Sequence, residues 1–523
     1  MGAQTQNPQT EKARALEGRV PLRRSFWMFC ILLAGFILRS IYLDLKPVHF
    51  DEGINGHFVQ QIWHDGFYRY DPTNFHGPLY FYILALTERI FGWGVAPFRF
   101  VTGLINLSAV AVVGMHRRFI GRTAIFAALI LALSPAFVFY SRYSIHESLF
   151  ILAQVLFSYG FLLYKQEKSM NSLWCMAGAC IIMIATKETF FIFLVSWAIA
   201  VASVHIYESF FPTGEPVNRD PAPEFQNWLA VAIISVVVLT ALYTGFYLYM
   251  HGAVDMLTGL QVWTNTGSAA KTGHEKPFLY WIDLLRRYEW PCLIGLVATP
   301  FVFFARTSNR ALKTLVIAGF GLWLAYSIIP YKTPWLLMNF IWLLAFTAGA
   351  VAARMLPPFK LWRGLRTGAA VLTVGAILFS AGEMLRLNFR DYAKVDEPYV
   401  YVQSTHQFKT VMDTIFAHTK KVPQDFNMHI FAMSRDPWPM PYLLERFPNL
   451  TWGHDVKVPI DSADVILADA EDKASVENRM KGEYLVLPFQ IRDAYQGGQA
   501  YFRSSIFKDE LPAGSTIVNG GAP

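Results

Sequence analysis

The sequence predicts an all-α polytopic membrane bundle of about eleven transmembrane helices, followed by a soluble α/β domain of roughly a quarter of the chain. Three observations predict it. Of 523 residues, 54% are hydrophobic and 16% charged, whereas soluble domains carry charge on about a quarter of their residues. Apolar runs near or above the ~18 residues that cross lipid recur along the chain. The charges themselves gather at the N-terminus, in short stretches between apolar runs, and after Arg386.

A large soluble protein is excluded, because it has no way to bury so many helices that are apolar all round. The net charge of +7 does not point to nucleic acid. The basic residues stand beside apolar runs, where the excess of Lys and Arg on inner loops accounts for them. Cys30, Cys175, Cys180 and Cys292 lie in or beside apolar runs without CxxC or metal-ligand spacing, and read as small buried hydrophobes. Lys12, Arg14, Arg19, Arg23 and Arg24 precede the first apolar run, and no small-residue cleavage site follows it. That run is expected to stay as the first helix.

The expected spans are 25–43, 97–115, 121–140, 148–164, 172–186, 188–206, 228–249, 291–305, 312–329, 335–353 and 367–385. With residues 1–24 as a cytoplasmic tail, the inner connections hold His116 to Arg118 with Arg122, Lys165 with Lys168, and Arg219. They also hold Arg306, Arg310 and Lys313, then Arg354, Lys360, Arg363 and Arg366. This bias supports one orientation throughout, and an odd number of spans places residues 387–523 outside. The transmembrane domain is thus 25–386, with outer loops 44–96 and 250–290. The stretch 78–92 is apolar but short and carries Glu88 and Arg89, so it reads as an interfacial helix. In the soluble part Tyr399–Val402, Met428–Phe431, Val465–Leu467 and Tyr484–Leu487 read as strands, with helices near 405–418 and 441–446. It has no Gly-rich phosphate loop and no acidic pair at a strand end.

Several residues resist a purely structural explanation. Asp51 and Glu52 follow the first span, with His57, His64, Asp65, Asp71 and His76 downstream. An acid held there can take a proton from an acceptor hydroxyl, or hold a divalent cation such as magnesium or manganese. Arg142, His146 and Glu147 abut two apolar spans, where charge is costly unless it is paired or lines a polar cavity. An internal ion pair bracing two helices is the plain alternative. Lys187-Glu188 interrupts an apolar stretch, and Lys332 stands in Pro330-Tyr-Lys-Thr-Pro-Trp335. Either lysine could simply snorkel to headgroups. With Arg142 they also offer positive charge suited to a lipid phosphate.

The pattern His49-Phe-Asp-Glu52, Phe75-His-Gly-Pro-Leu79, Phe91-Gly92 and Arg99 resembles the N-terminal signature of GT-C superfamily membrane glycosyltransferases. Tyr140-Ser-Arg142, His146-Glu147 and Thr186-Lys-Glu188 continue the resemblance. The superfamily includes protein O-mannosyltransferases, lipid A aminoarabinose transferases and oligosaccharyltransferases. The closest resemblance is to a prokaryotic family labelled flippase-activity-associated protein, through Pro330–Trp335 and the C-terminal domain. The resemblance implies a GT-C bundle and inverting transfer from a polyprenyl-phosphate-linked sugar to a protein, glycan or lipid acceptor on the extracytoplasmic face of the cell membrane. It implies Asp51, Glu52 and Glu147 as catalytic acids. It implies Arg142, His146, Lys187, Lys332 and His76 as groups on the donor phosphate or sugar, with a divalent cation on Asp51 and Glu147 left open. The rival reading is a flippase component that handles lipid-linked saccharides without forming a glycosidic bond.

Overall fold

A computed structural model describes residues 22–212, 221–268, 273–355, 363–453, 460–492, 497–510 and 515–520. Of the basic residues expected on the inner side, Lys12, Arg14, Arg19, Arg219 and Lys360 lie outside the described residues, as do the side chains of Arg23, Arg24 and Arg363.

Each apolar run forms a helix, because lipid offers the backbone no other partners. In chain order these are α1 (Leu22–Ser40), α2 (Phe50–Asp65), α3 (Leu79–Phe91), α4 (Val95–Met115), α5 (Arg122–Leu133) and α6 (Pro135–Ser141). Next come α7 (Glu147–Glu167), α8 (Met170–Ile184), α9 (Phe190–Phe210), α10 (Phe225–Tyr243) and α11 (Gly252–Ser268). The bundle closes with α12 (Tyr280–Tyr288), α13 (Trp290–Phe304), α14 (Arg310–Ile328), α15 (Met338–Arg354) and α16 (Arg363–Phe389).

Among the described residues seven helices are long and apolar enough to cross a membrane, or eight if α5 and α6 count as one bent span. The expected eleven is therefore not matched. Apolar helices stand at all the expected places, but Phe26–Ser40, Met170–Ile184 and Trp290–Phe304 fall short of the crossing length. The α5–α6 pair bends by 56° at Pro135, which cannot donate a backbone hydrogen bond. The donors exposed by this break find partners. Ser134 caps α6 by accepting from Phe137 N, and Glu289 accepts from Ala136 N at 2.7 Å and from the Ser134 hydroxyl at 2.9 Å. At the centre stands α15, most of it buried, packed against α5, α13 and α14.

Residues 44–96 hold two helices, α2 and α3, whose apolar residues join a cluster distinct from that of the bundle. Phe58, Val59, Ile62, Tyr80, Phe81 and Leu84 share this cluster with Phe408, Val411, Ile415, Met440 and Tyr442 of the C-terminal domain. The C-terminal domain and these two helices thus bury one another.

The C-terminal domain is a six-stranded mixed sheet with order β2-β1-β3-β5-β4-β6. The strands are β1 (Ile430–Met433), β2 (Leu450–Trp452), β3 (Val465–Asp469), β4 (Gly482–Gln490), β5 (Gly497–Arg503) and β6 (Thr516–Gly520). β1 runs parallel to β2 and β3, with Ile430 opposite Val465, and the remaining pairs are antiparallel. Helices α17 (His406–Lys421) and α18 (Met440–Leu444) stand where the sequence placed them.

Tyr399–Val402 is not a strand. The segment instead plugs into the bundle. Tyr399 is buried against Tyr140 and Tyr288 at ring-centroid distances of 5.5 and 4.4 Å, and its carbonyl accepts from the Tyr140 hydroxyl. Val402 takes φ +49°, which ends any extended run, and its carbonyl accepts from Phe50 N. Aromatic and β-branched residues in alternation serve a buried plug as well as a strand.

Candidate functional site

The site begins at the N-terminus of α2. His49 Nδ1 accepts from Asp51 N at 3.1 Å, and Glu52 reaches back to His49 N at 2.9 Å, forming a reciprocal cap. Glu52 then turns into the protein. Its carboxylate accepts from Arg99 Nε at 2.8 Å, Arg99 Nη2 at 2.6 Å and Ser144 N at 2.8 Å. Arg99 spends its remaining donors on the carbonyls of Leu43, Lys46 and Pro47. Both partners of this ion pair are fully buried, so it fixes α2 to α4 and to the preceding loop.

Successive residues on a helix point about 100° apart, so Asp51 faces a different way from Glu52. Its side chain, 31% exposed, lines a cavity of about 210 Å³. The far wall comes from the α7 N-terminus and the α8–α9 break. Lys187 is buried there and paired with Glu147. Burial opposes the charge on Lys187, but Glu147 and Glu188 outweigh it and hold its pKa above the ordinary value.

A third wall is carried by the loop before α3. Gly77 packs against the 185–186 backbone so tightly that a Cβ there would stand 2.7 Å from Thr186 N. Gly77 N and Leu79 N donate to the carbonyls of Thr186 and Ala185. This splice delivers His76 to Glu188, with Nδ1 3.0 Å from the carboxylate. Burial disfavours ionisation of Glu188, yet His76 and Lys187 together hold its pKa below the usual carboxylate value.

His146 lies beneath His76 with ring centroids 4.5 Å apart, wedged against Tyr80 and Phe81. Burial first, then His76 and Lys187, push its pKa well down. Its Nε2 and the Thr333 hydroxyl make no hydrogen bond among the described residues, and both residues line the cavity. Both atoms are therefore available to hydrogen-bond a group that enters the cavity.

The expected site residues therefore divide. Asp51, Glu147, His146, Lys187 and His76 come together on one cavity. Glu52, Arg142 and Lys332 are not among its lining. Arg142 is buried, and its guanidinium donates to the carbonyls of Leu38, Ile41 and Tyr42 at 2.8–2.9 Å, which satisfies the C-terminal end of α1. Lys332 Nζ donates to Ile329 O at 2.5 Å and Lys276 O at 3.1 Å, tying the 274–276 strap to the α14–α15 turn. Its neighbours Tyr331, Thr333 and Trp335 supply the cavity wall instead, together with Glu188, Tyr326 and Trp263. The sequence signalled the Pro330–Trp335 segment, but through its charge rather than through these residues. Among the described residues no three His, Cys, Asp or Glu are grouped to hold a metal ion.

A family model described as dolichyl-phosphate-mannose-protein mannosyltransferase matches residues 75–243. Among curated proteins the sequence finds no match. Solved structures resemble the chain over nearly its whole length. ArnT from Cupriavidus metallidurans bound to undecaprenyl phosphate superposes with a TM-score of 0.63 at 14% identity, covering 91% of this chain and 98% of that one. The apo form of the same protein gives 0.57 at 12% identity, covering 92% and 99%. The archaeal oligosaccharyltransferase AglB from Archaeoglobus fulgidus, in complex with an inhibitory peptide and a dolichol-phosphate, gives 0.52 at 12% identity, covering 95% and 76%. These similarities show a shared fold: a polytopic helical membrane bundle with a β-containing C-terminal domain, in keeping with GT-C architecture.

Proposed function

We propose that the chain is an inverting membrane glycosyltransferase of GT-C type, moving a sugar from a polyprenyl-phosphate-linked donor to an acceptor on the extracytoplasmic face. Within that superfamily it stands nearest the flippase-activity-associated family. In this reading the N-terminus is cytoplasmic and the C-terminal domain outside. The observation that carries it is the pairing, in one cavity, of the partly exposed carboxylate of Asp51 with the buried cation of Lys187. ArnT and AglB, which share the fold, were both solved with a polyprenyl-type phosphate bound.

The step is a single displacement. An acceptor hydroxyl or amide attacks the anomeric carbon as the bond from that carbon to the phosphate oxygen breaks, with inversion. Asp51 takes the acceptor's proton, and polyprenyl phosphate departs with the electron pair. Lys187 meets the charge that develops on the phosphate, where a buried, pre-placed cation counts for more than one in water. Glu147 holds Lys187 in place meanwhile. His146 Nε2 and the Thr333 hydroxyl are placed to hydrogen-bond the hydroxyls of the sugar. A divalent cation would take Asp51 as a ligand, and Glu147 only after Lys187 released it. Among the described residues no three His, Cys, Asp or Glu are grouped to hold such a cation.

The test incubates the purified protein with the lipid extract of its source membranes and follows two products, free polyprenyl phosphate and glycosylated acceptor. Both should form together, and Asp51→Asn should abolish both. Movement of intact lipid-linked saccharide across vesicles, with neither product, would select the flippase reading instead.

A further inference from the structure

Helix α2 is held by two bodies. Glu52 and Arg99 fix it within the bundle, while the C-terminal domain grips it at Gly53 and Gly56. A Cβ added at Gly53 would stand 2.6 Å from the Cα of Pro439, and one added at Gly56 would stand 2.6 Å from Cδ1 of Tyr442. Neither neighbour is a flexible side-chain end. Tyr442 is fully buried, stacked on Phe98 at 5.9 Å and tilted against Trp93 at 5.5 Å.

Other contacts extend the grip along the helix. Trp438 sets its edge against His57 at 5.5 Å, and Glu445 lies 3.3 Å from His57 Nδ1. The Arg492 guanidinium sits 4.5 Å over the ring of Phe50, the residue before Asp51, and is itself paired with Asp436. The chain entering the domain closes the helix end: Phe50 N donates to Val402 O, Ser404 N donates to Val48 O, and His49 bridges Gln403. None of the domain's described residues lines the cavity.

We infer that the C-terminal domain is a positioning element for the transfer site, acting through the Trp438–Tyr442 segment seated on Gly53 and Gly56 to set where Asp51 stands. The inference rests on the role given to Asp51 above. The physical reason is leverage. A carboxylate that must meet an acceptor proton at hydrogen-bond distance loses rate steeply when displaced by about 1 Å. Asp51 sits two residues from Gly53 and five from Gly56, on a helix of only 16 residues. A shift of that helix by one methyl group's width moves the carboxylate by a similar amount. Donor contacts on Lys187 and His146 belong to other elements and stay in place.

The experiment uses the full chain in lipid nanodiscs. Hydrogen exchange is read across Phe50–Gly56, and turnover is read as polyprenyl phosphate released from the source-membrane lipid extract. Gly56→Ala should raise exchange in that segment at least tenfold. It should also lower kcat at least tenfold, with the apparent KM for the extract within twofold of wild type. Adding Tyr442→Ala to Gly56→Ala vacates the space the new methyl needs and should recover most of the loss. If Gly56→Ala does not accumulate, Trp438→Ala carries the test. It adds no bulk, it loosens the same segment where Trp438 packs against His57, and kcat should fall with KM unchanged. Wild-type exchange and kcat in these variants would overturn the inference, as would a double variant no better than Gly56→Ala. Asp51→Asn separates the two levels. Its full turnover would remove Asp51 from the chemistry, whereas its inactivity beside a fully active Gly56→Ala would remove only the positioning.

Discussion

Asp51 and Glu52 are neighbours on one helix and answer to different environments: Asp51 opens onto the cavity, while Glu52 is sealed against Arg99 at 2.6 Å. Two adjacent carboxylates can thus divide chemistry from architecture. Asp51→Asn should cost at least the 10²-fold or more that a proton acceptor supplies, with the thermal midpoint nearly unchanged. Glu52→Gln should instead destabilise by about 3–5 kcal/mol, because it leaves Arg99 buried without its partner. Turnover assays beside thermal unfolding in detergent separate the two. Equal stability of both variants would contradict the division.

Lys187 is the cation on the cavity wall, and its removal should weaken the donor lipid rather than the acceptor. Lys187→Met is expected to reduce binding of undecaprenyl phosphate at least tenfold, as measured by native mass spectrometry. Unchanged binding would take Lys187 out of the phosphate site.

Arg142 gives the opposite expectation. Its guanidinium serves backbone carbonyls at the end of α1, so Arg142→Lys should cost stability, at ~1.5–3 kcal/mol for each charged hydrogen bond lost. Undecaprenyl phosphate binding should stay within twofold. A tenfold loss of binding with normal stability would return Arg142 to the donor site.

Glu188 sets an acid limit. Its carboxyl is held below its ordinary value in the folded chain, because His76 and Lys187 outweigh the effect of burial. A depressed acid contributes stability above its unfolded pKa, ~4.3 for Glu, and loses it as pH falls through the folded value. Midpoints measured from pH 7 to 3 should therefore fall less steeply below about pH 4.3 in Glu188→Gln than in wild type. Parallel curves would show that Glu188 carries no such linkage.

Much of this was legible before the structure because lipid is a strict solvent. Apolar runs could only be helices, and charges such as Lys187 and Glu147 beside them demanded partners or a cavity. Length was harder. Trp290–Phe304 and Met170–Ile184 are as apolar as true spans and differ only by a few residues at the ends. Arg142 and Lys332 stand off the cavity lining for a clear physical reason. Their partners are backbone carbonyls, which every sequence has and none advertises. The plug at Tyr399 shows the same blindness, since burial in a bundle and burial in a sheet select the same side chains. The burial of His146 and the wall from Thr333 and Tyr331 depended on three-dimensional packing that no spacing encodes.

The contact between Ser404 and Val48 has a consequence for biogenesis. The Ser404 hydroxyl donates to the Val48 carbonyl across 356 residues of chain, and Val402 closes the turn that carries Asp51. A ribosome makes the helix bearing Asp51 early and the residues that lock its end late. Until the last span is inserted and the C-terminal domain has folded, the nascent bundle lacks the clasp on the helix bearing Asp51. Loop closure of that length comes late in assembly, so the helix bearing Asp51 is clasped only once the C-terminal domain has folded onto it.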